Sequence, residues 1–355
     1  MASWKTYLTR LGYRIDRGVD KFQRFSQRFE DDALVVWPYL TYGTTSRIFI
    51  KGRVLEAQAL RAASEDDSRW RNFRSALKRF TSDEIANAKV RVNFQNQTKE
   101  LVTDEEGFFE TWLEPSSFLS TDTNDKNLYS FSVELLAPLR KEQTETLFQG
   151  QVMVPQNPTF GIISDVDDTI LQSDATRVLR MARKVLFNNA RTRLPFEGVA
   201  EFYQKLNQNK NPLFYVSSSP WNLYDLLVEF LEINDIPLGP LLLRDWGISD
   251  NELLPTGHAG HKLGAIKQIL DTYPHLPFIL IGDSGQEDPE IYSEVVTAYP
   301  GRILAIYIRD VSLGRRTEAI NTLAQNVIAA QSELLLVPDT TVAEEHARSR
   351  GWIES

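Results

Sequence analysis

From residue 158 onward, short apolar runs alternate with helical segments: "FGIISDVD" (160–167), "PLFYVSSS" (212–219), "GPLLLRDWG" (239–247), "PFILIGDSG" (277–285) and "ILAIYIRD" (303–310). Near-continuous apolar strands joined by helical crossovers can pair only as a parallel sheet that is covered on both faces. Ligands of such sheets bind beyond the carboxyl ends of the strands. Each run here ends in a polar cluster: Asp165/Asp167, Ser217 to Ser219, Arg244/Asp245, Asp283/Ser284 and Arg309/Asp310. Those ends are expected to converge on one crevice.

Upstream, from Arg47 to Pro155, the period becomes two. "RIFIKGRVLEA", "AKVRVNFQN", "TKELVTDEEGFFETWLEP", "LYSFSVELLAP" and "TLFQGQVMVP" alternate or are β-rich, which predicts a small antiparallel sandwich. "TDEEGFF" reads as a hairpin turn with Gly107 at positive φ. "SRWRNFRSALKRF" (68–80) reads as a helical insert, and "VPQNPTF" (154–160), with its two prolines, as the junction between domains. Residues 3–30 place Trp4, Leu8, Leu11, Ile15, Val19, Phe22, Phe25 and Phe29 on one face of a helix and seven basic residues on the other. That helix either packs on the rest of the protein or lies on an anionic membrane surface. The predicted organisation is an amphipathic helical segment over 1–44, a β-sandwich with a helical insert over 45–157, and an α/β domain over 158–355.

The chain has 355 residues and a net charge of −9, which argues against wholesale nucleic-acid binding. It has no cysteine, so disulfides and thiolate metal sites are excluded. No apolar stretch approaches the ~18 residues that span a bilayer, and no signal-peptide core opens the chain. A cytoplasmic protein, at most peripheral on a membrane, is expected.

Crowded carboxylates at a buried strand end repel one another unless a cation sits among them. Hard oxygen donors from two strand ends suit Mg²⁺, with Asp283 the expected ligand from the second strand. Asp165 and Asp167, two apart, would share one face of an extended strand and reach one substrate. One carboxylate could attack phosphorus, and the other could protonate the leaving oxygen and then activate water. Ser217 would hydrogen-bond a phosphoryl oxygen where Pro220 opens a helix; Ser218 and Ser219 would either help or cap that helix. Lys262 stands early in a helix, where a cation is poor for the dipole and better explained by a phosphate. Asp288 either supports the metal through water or caps the helix opened by Pro289. His258 and His261 receive no role.

The four clusters "DVDDT" from 165, "YVSSS" from 215, Lys262 and "GDSGQED" from 282, in this order, resemble the motif set of the haloacid dehalogenase (HAD) phosphohydrolase superfamily. The resemblance implies a HAD-like Rossmannoid sheet. It also implies Asp165 as nucleophile, Asp167 as acid/base, Ser217 and Lys262 as phosphate stabilisers, and a Mg²⁺ site built on Asp165, Asp167, Asp283 and Asp288 with a backbone carbonyl of the first loop. More narrowly, "NARTRLPFEGVAEFYQKL", "YVSSSPWNLYDLL", "RDWG" and "GDSGQEDPEIY" resemble the actin patch protein type of Mg²⁺-dependent phosphatidate phosphatase, in its bacterial members. This implies hydrolysis of phosphatidate to diacylglycerol. The alternatives are a HAD phosphatase for another phosphomonoester, soluble or protein-bound, and a membrane-associated lipid-binding adaptor. Residues 171–211 are too short for a large cap and carry six basic residues over 177–193, which suits an open site for a bulky anion.

Overall fold

The computed structural model describes residues 33–56, 84–115, 127–141, 143–167, 169–170, 196–244, 258–312 and 314–354. The expected N-terminal helix (3–30), the helical insert (68–80) and the basic stretch 177–193 lie outside the described residues. No helix among the described residues is long and apolar enough to cross a membrane.

The parallel sheet forms as predicted. Its strands are β9 (Gly161–Ser164), β10 (Leu213–Pro220), β11 (Leu241–Arg244), β12 (Phe278–Asp283), β13 (Ile303–Arg309) and β14 (Leu334–Val337), in the order β11-β10-β9-β12-β13-β14. All neighbours are parallel. Five of the six were legible; β14, a run of four residues, was not anticipated. Successive side chains alternate between faces, so each strand feeds two cores. Ile162, Tyr215, Ile279 and Tyr307 pack with helices α1 (Val199–Asn207), α2 (Tyr224–Ile233) and α6 (Thr340–Ser349). Ile163, Phe214, Leu280 and Ile306 pack with α3 (His258–Thr272), α4 (Asp288–Ala298) and α5 (Thr317–Ala329). From β9 the chain progresses through β10 and β11 on one side and through β12 to β14 on the other. The order therefore reverses beside the tips of β9 and β12, the place where such sheets bind ligands.

The upstream region is a sandwich of two sheets. One has the order β1-β3-β6, with β1 (Leu34–Pro38), β3 (Ile48–Glu56) and β6 (Phe108–Leu113); the other has the order β2-β8-β7-β4-β5, with β2 (Thr41–Tyr42), β4 (Lys89–Phe94), β5 (Gln97–Val102), β7 (Leu128–Ala137) and β8 (Leu147–Met153). Val36, Ile50 and Phe109 of the first sheet meet Val92, Phe131 and Val133 of the second in a single core. β1 and β2 fall inside the span expected to be helical, because their pairing partners in β3 and β8 override the local pattern. The pairing is mostly antiparallel, but β2 runs parallel to β8.

The expected hairpin at "TDEEGFF" is only half correct. Gly107 has φ 78°, and Asp104 closes the turn by accepting from the Glu106 and Phe108 amides. Its flanking strands nevertheless separate: β5 pairs with β4 in one sheet and β6 with β3 in the other. The turn is a corner between sheets.

The sandwich shares its hydrophobic surface with the α/β region. Tyr39 lies 4.5 Å from both Trp221 and Tyr224, ring to ring, and the Leu40 amide donates to Tyr224 Oη at 3.0 Å. On the other face Tyr42 meets Phe214 edge-on at 5.3 Å, and Tyr273 Oη donates to the buried Gly43 carbonyl at 3.0 Å.

Candidate phosphoryl-transfer site

Asp165 follows directly on β9 and is 1% exposed. Its backbone N–H donates to Ile281 O of β12 at 2.9 Å, which pins it between the two central strands. Lys262, on the first turns of α3, places Nζ 2.8 Å from Asp165 Oδ1 and 2.6 Å from Asp288 Oδ1. An ammonium this deeply buried needs such partners. Burial would drive off its proton, but the Asp165 and Asp288 carboxylates outweigh that and raise its pKa. Burial holds the Asp165 carboxyl well above the usual carboxylate range; Lys262 opposes this, while Asp288, Asp283 and Asp167 reinforce it. Thr169 Oγ1 also donates to Asp165 Oδ2, at 3.4 Å.

Of the two roles expected for Asp288, helix capping is not the one it takes. Glu287, not Asp288, is the cap residue of α4, with Pro289 in the first turn as anticipated. Asp288 Oδ2 accepts from the Asp283 amide at 3.1 Å while Oδ1 holds Lys262. Both oxygens serve to join α3, α4 and the tip of β12. Gly282 makes this possible, since a Cβ there would stand 2.6 Å from Asp288 Oδ2 and 2.8 Å from its Cβ.

Asp283 folds the following loop back on itself, its Oδ1 accepting from the Gly285 and Gln286 amides at 2.6 and 3.0 Å. That turn carries the Gln286 side chain over the strand tips. Its Nε2 lies 3.2 Å from Asp283 Oδ2, 3.3 Å from the Asp167 carbonyl and 3.5 Å from Asp165 Oδ2. Arg316 braces the loop by donating to Ser284 O at 2.9 Å and to Gln286 O.

The serine loop differs from expectation. β10 stays extended through Pro220; a single 3-10 turn, Trp221–Leu223, intervenes before α2, so Pro220 does not open the α-helix. In extended backbone, residues two apart share a side. Ser217 and Ser219 accordingly both donate to Asp167 Oδ2, each at 3.0 Å, and Ser218 does not. None of the three caps α2. Asp167 therefore faces the tip of β10, while Asp165 faces Lys262. The side chains of the two carboxylates part because β9 ends at Ser164 and the alternation expected of a strand no longer applies.

The outer clusters are mainly scaffolding. Arg309 donates to Thr340 Oγ1 at 2.7 Å and stacks on Phe196, and Asp310 accepts from Ser284 and Ser312. Asp245 lies outside the described residues. His261 is held neutral, its pKa lowered to about 4 by burial and by Arg244. Sequence reasoning missed Gln286, Thr169 and Arg316; of the two roles it left open for Ser219, the hydrogen bond to Asp167 replaces the helix cap. For Gln286 a signal existed, because Asp-x-Gly-Gln at a strand tip favours a side-chain-capped turn that returns the fourth residue to the site.

Asp165, Asp283 and Asp288 each offer a carboxylate oxygen within 4.8 Å of the others, all buried. The donor set is all oxygen and carries more negative charge than Lys262 alone offsets, which fits a hard divalent cation.

Residues 160–310, which hold this whole cluster, match the family model described as phosphatidate phosphatase APP1, catalytic domain. The matched stretch lies within the α/β half and is similar there to a phosphatase catalytic domain. Phosphatidate phosphatase APP1 of Saccharomyces cerevisiae is 29% identical over 272 residues, covering 74% of this chain and 46% of the yeast protein. An uncharacterized protein of Schizosaccharomyces pombe is 27% identical over 288 residues, covering 76% of this chain and 46% of its own length. The chain thus spans about half the length of these curated relatives. Among solved structures, a carbohydrate acetylesterase from Xanthomonas citri aligns at 13% identity over 75% of this chain and 66% of its own, with a TM-score of 0.27. That value is too low to support any structural argument.

Proposed function

We propose that this chain is a Mg²⁺-dependent phosphatidate phosphatase of the HAD type, working through an aspartyl-phosphate. The observation that carries the reading is Asp165: a buried carboxylate at a central strand tip, gripped by Lys262, inside the stretch that matches a phosphatidate phosphatase catalytic domain. Asp165 and Asp283, with the Asp167 carbonyl, are the oxygens that would hold the cation; Asp288 supports them through Lys262 and the Asp283 amide. When bound, the cation offsets the charge of the carboxylates and of the incoming phosphate.

In this reading an Asp165 oxygen attacks phosphorus, and the P–O bond to the diacylglycerol oxygen breaks. Asp167, held by Ser217 and Ser219 and only partly buried, gives that oxygen its proton. It then takes a proton from water, whose oxygen attacks phosphorus, and phosphate leaves with Asp165 restored. Lys262 stays charged throughout and offsets the charge that builds on the phosphoryl oxygens. Ser217 enters this scheme as the residue that orients Asp167.

The test is phosphate release from phosphatidate in mixed micelles with Mg²⁺, beside lysophosphatidate, sugar phosphates and a phosphopeptide. Asp165→Asn should fold and show no turnover, because an amide cannot form the acyl-phosphate. Asp167→Asn should be crippled yet accumulate phosphoenzyme. Near-normal turnover by Asp165→Asn would sink the mechanism, and preference for a soluble phosphomonoester would sink the substrate.

A further inference from the structure

The Gln286 carboxamide sits where three oxygens from three different residues converge. Its Nε2 lies 3.2 Å from Asp283 Oδ2, 3.3 Å from Asp167 O and 3.5 Å from Asp165 Oδ2. A primary amide has two N–H donors, so it cannot give each of the three acceptors a separate, undivided hydrogen bond. The distances also exceed the ~2.9–3.0 Å of a well-made N–H···O bond. A cation, whose field is radial, would satisfy all three oxygens at once. The main chain of Gln286 is fixed from both sides: its amide donates to Asp283 Oδ1 at 3.0 Å, and its carbonyl accepts from Arg316. Only the side chain is left to move, and among the described residues its Oε1 accepts from Lys262 Nζ at 3.4 Å.

We propose that the Gln286 carboxamide is the placeholder for the divalent cation, bridging Asp165, Asp283 and the Asp167 carbonyl in the cation-free protein and swinging away when the cation binds. The inference rests on the cation site of the proposed function and adds to it a competitor built into the chain. While the cation is absent, the amide softens the repulsion between Asp165 and Asp283 and keeps the three oxygens together. The same contacts must be broken on loading, so Gln286 weakens cation affinity while stabilising the cation-free fold.

The experiment is Mn²⁺ binding to the intact protein by electron paramagnetic resonance, repeated with Mg²⁺ by calorimetry. Gln286→Ala should bind Mn²⁺ about tenfold tighter than the parent, equivalent to about 1.4 kcal/mol. Its melting temperature in EDTA should fall and its gain on adding Mg²⁺ should grow. Gln286→Asn, whose amide is one methylene too short to span the three oxygens, should shift binding in the same direction and guards against an alanine variant that folds poorly. Asp283→Asn should lose Mn²⁺. Binding by Gln286→Ala and Gln286→Asn that is unchanged or weaker, while the parent binds and Asp283→Asn does not, overturns the placeholder and leaves the cation site standing. A parent protein that binds no Mn²⁺ overturns both.

Discussion

Asp283 and Asp288 show how one missing Cβ arranges a site. The Asp283 amide reaches Asp288 Oδ2 only because Gly282 leaves room for that carboxylate. Gly282→Ala should push Asp288 outward, loosen its hold on Lys262 and lose most of the proposed phosphatase activity. The overpacking should also destabilise the fold by about 1–3 kcal/mol. Chemical denaturation and turnover on one preparation will check both effects. Unaltered activity would mean that the Lys262–Asp288 pair is scaffolding with no bearing on Asp165.

At the scale of elements, the sandwich grips the serine loop through Arg53 on β3. This side chain is 3% exposed; it donates to Asn222 Oδ1 at 3.2 Å and to Glu106 O at 2.7 Å, pairs with Glu84 at 2.5 Å and covers Phe108. Asn222 stands three residues after Ser219, which orients Asp167. The β-sandwich is thereby connected to Asp167, the proposed acid/base group, as well as to the core. Arg53→Ala should cost about 2 kcal/mol or more, since buried hydrogen bonds from a charged donor are lost together. It should also lower turnover with little change in cation affinity, because Asp165 and Asp283 are held from β9 and β12. Arg53→Lys should not rescue it, as an ammonium lacks the planar fork that reaches three partners. Denaturation midpoints, turnover and Mn²⁺ binding on these variants separate the two effects.

For the whole molecule, the shared surface predicts that the α/β half will not stand alone. Residues 158–355 without the sandwich would expose Trp221 and Tyr224 on one face and Phe214 and Tyr273 on the other, all now covered by Tyr39 and Tyr42. Expressed alone, that fragment should aggregate or bind a hydrophobic dye; a soluble, cooperatively melting fragment would refute the prediction. The site's charge balance gives a second whole-molecule test. Asp165 has a folded pKa raised above its ordinary 3.8, so the folded state binds its proton more readily than the unfolded state. That proton stabilises fully below 3.8, and its contribution is lost as pH rises through the raised folded value. In EDTA, melting temperature should therefore gain from Asp165 protonation as pH falls through that window. The extra stability conferred by Mg²⁺ should shrink over the same range, because proton and cation compete for one carboxylate. A Mg²⁺ increment independent of pH across that window would refute the competition.

The alternation of apolar runs and helical segments was enough to determine the parallel sheet, because a strand buried on both faces can be assembled in few other ways. The strand-tip carboxylates, the serines and Lys262 were legible for the same reason: charge at the end of a buried strand costs too much to be incidental. What each of those groups touches was decided only by tertiary structure. Asp165 and Asp167 diverge because β9 stops one residue before the first of them, and no periodicity reports that. Gln286 enters the site through a turn made by Asp283, and Ser219 joins Ser217 because β10 runs on past them both. β1 and β2 depend on partners far away in the chain, and β5 parts from β6 for the same reason. Local pattern encodes which face of an element is apolar; which distant element covers that face is settled by packing, and here packing unites the sandwich with the α/β half and directs the side chains at the strand tips.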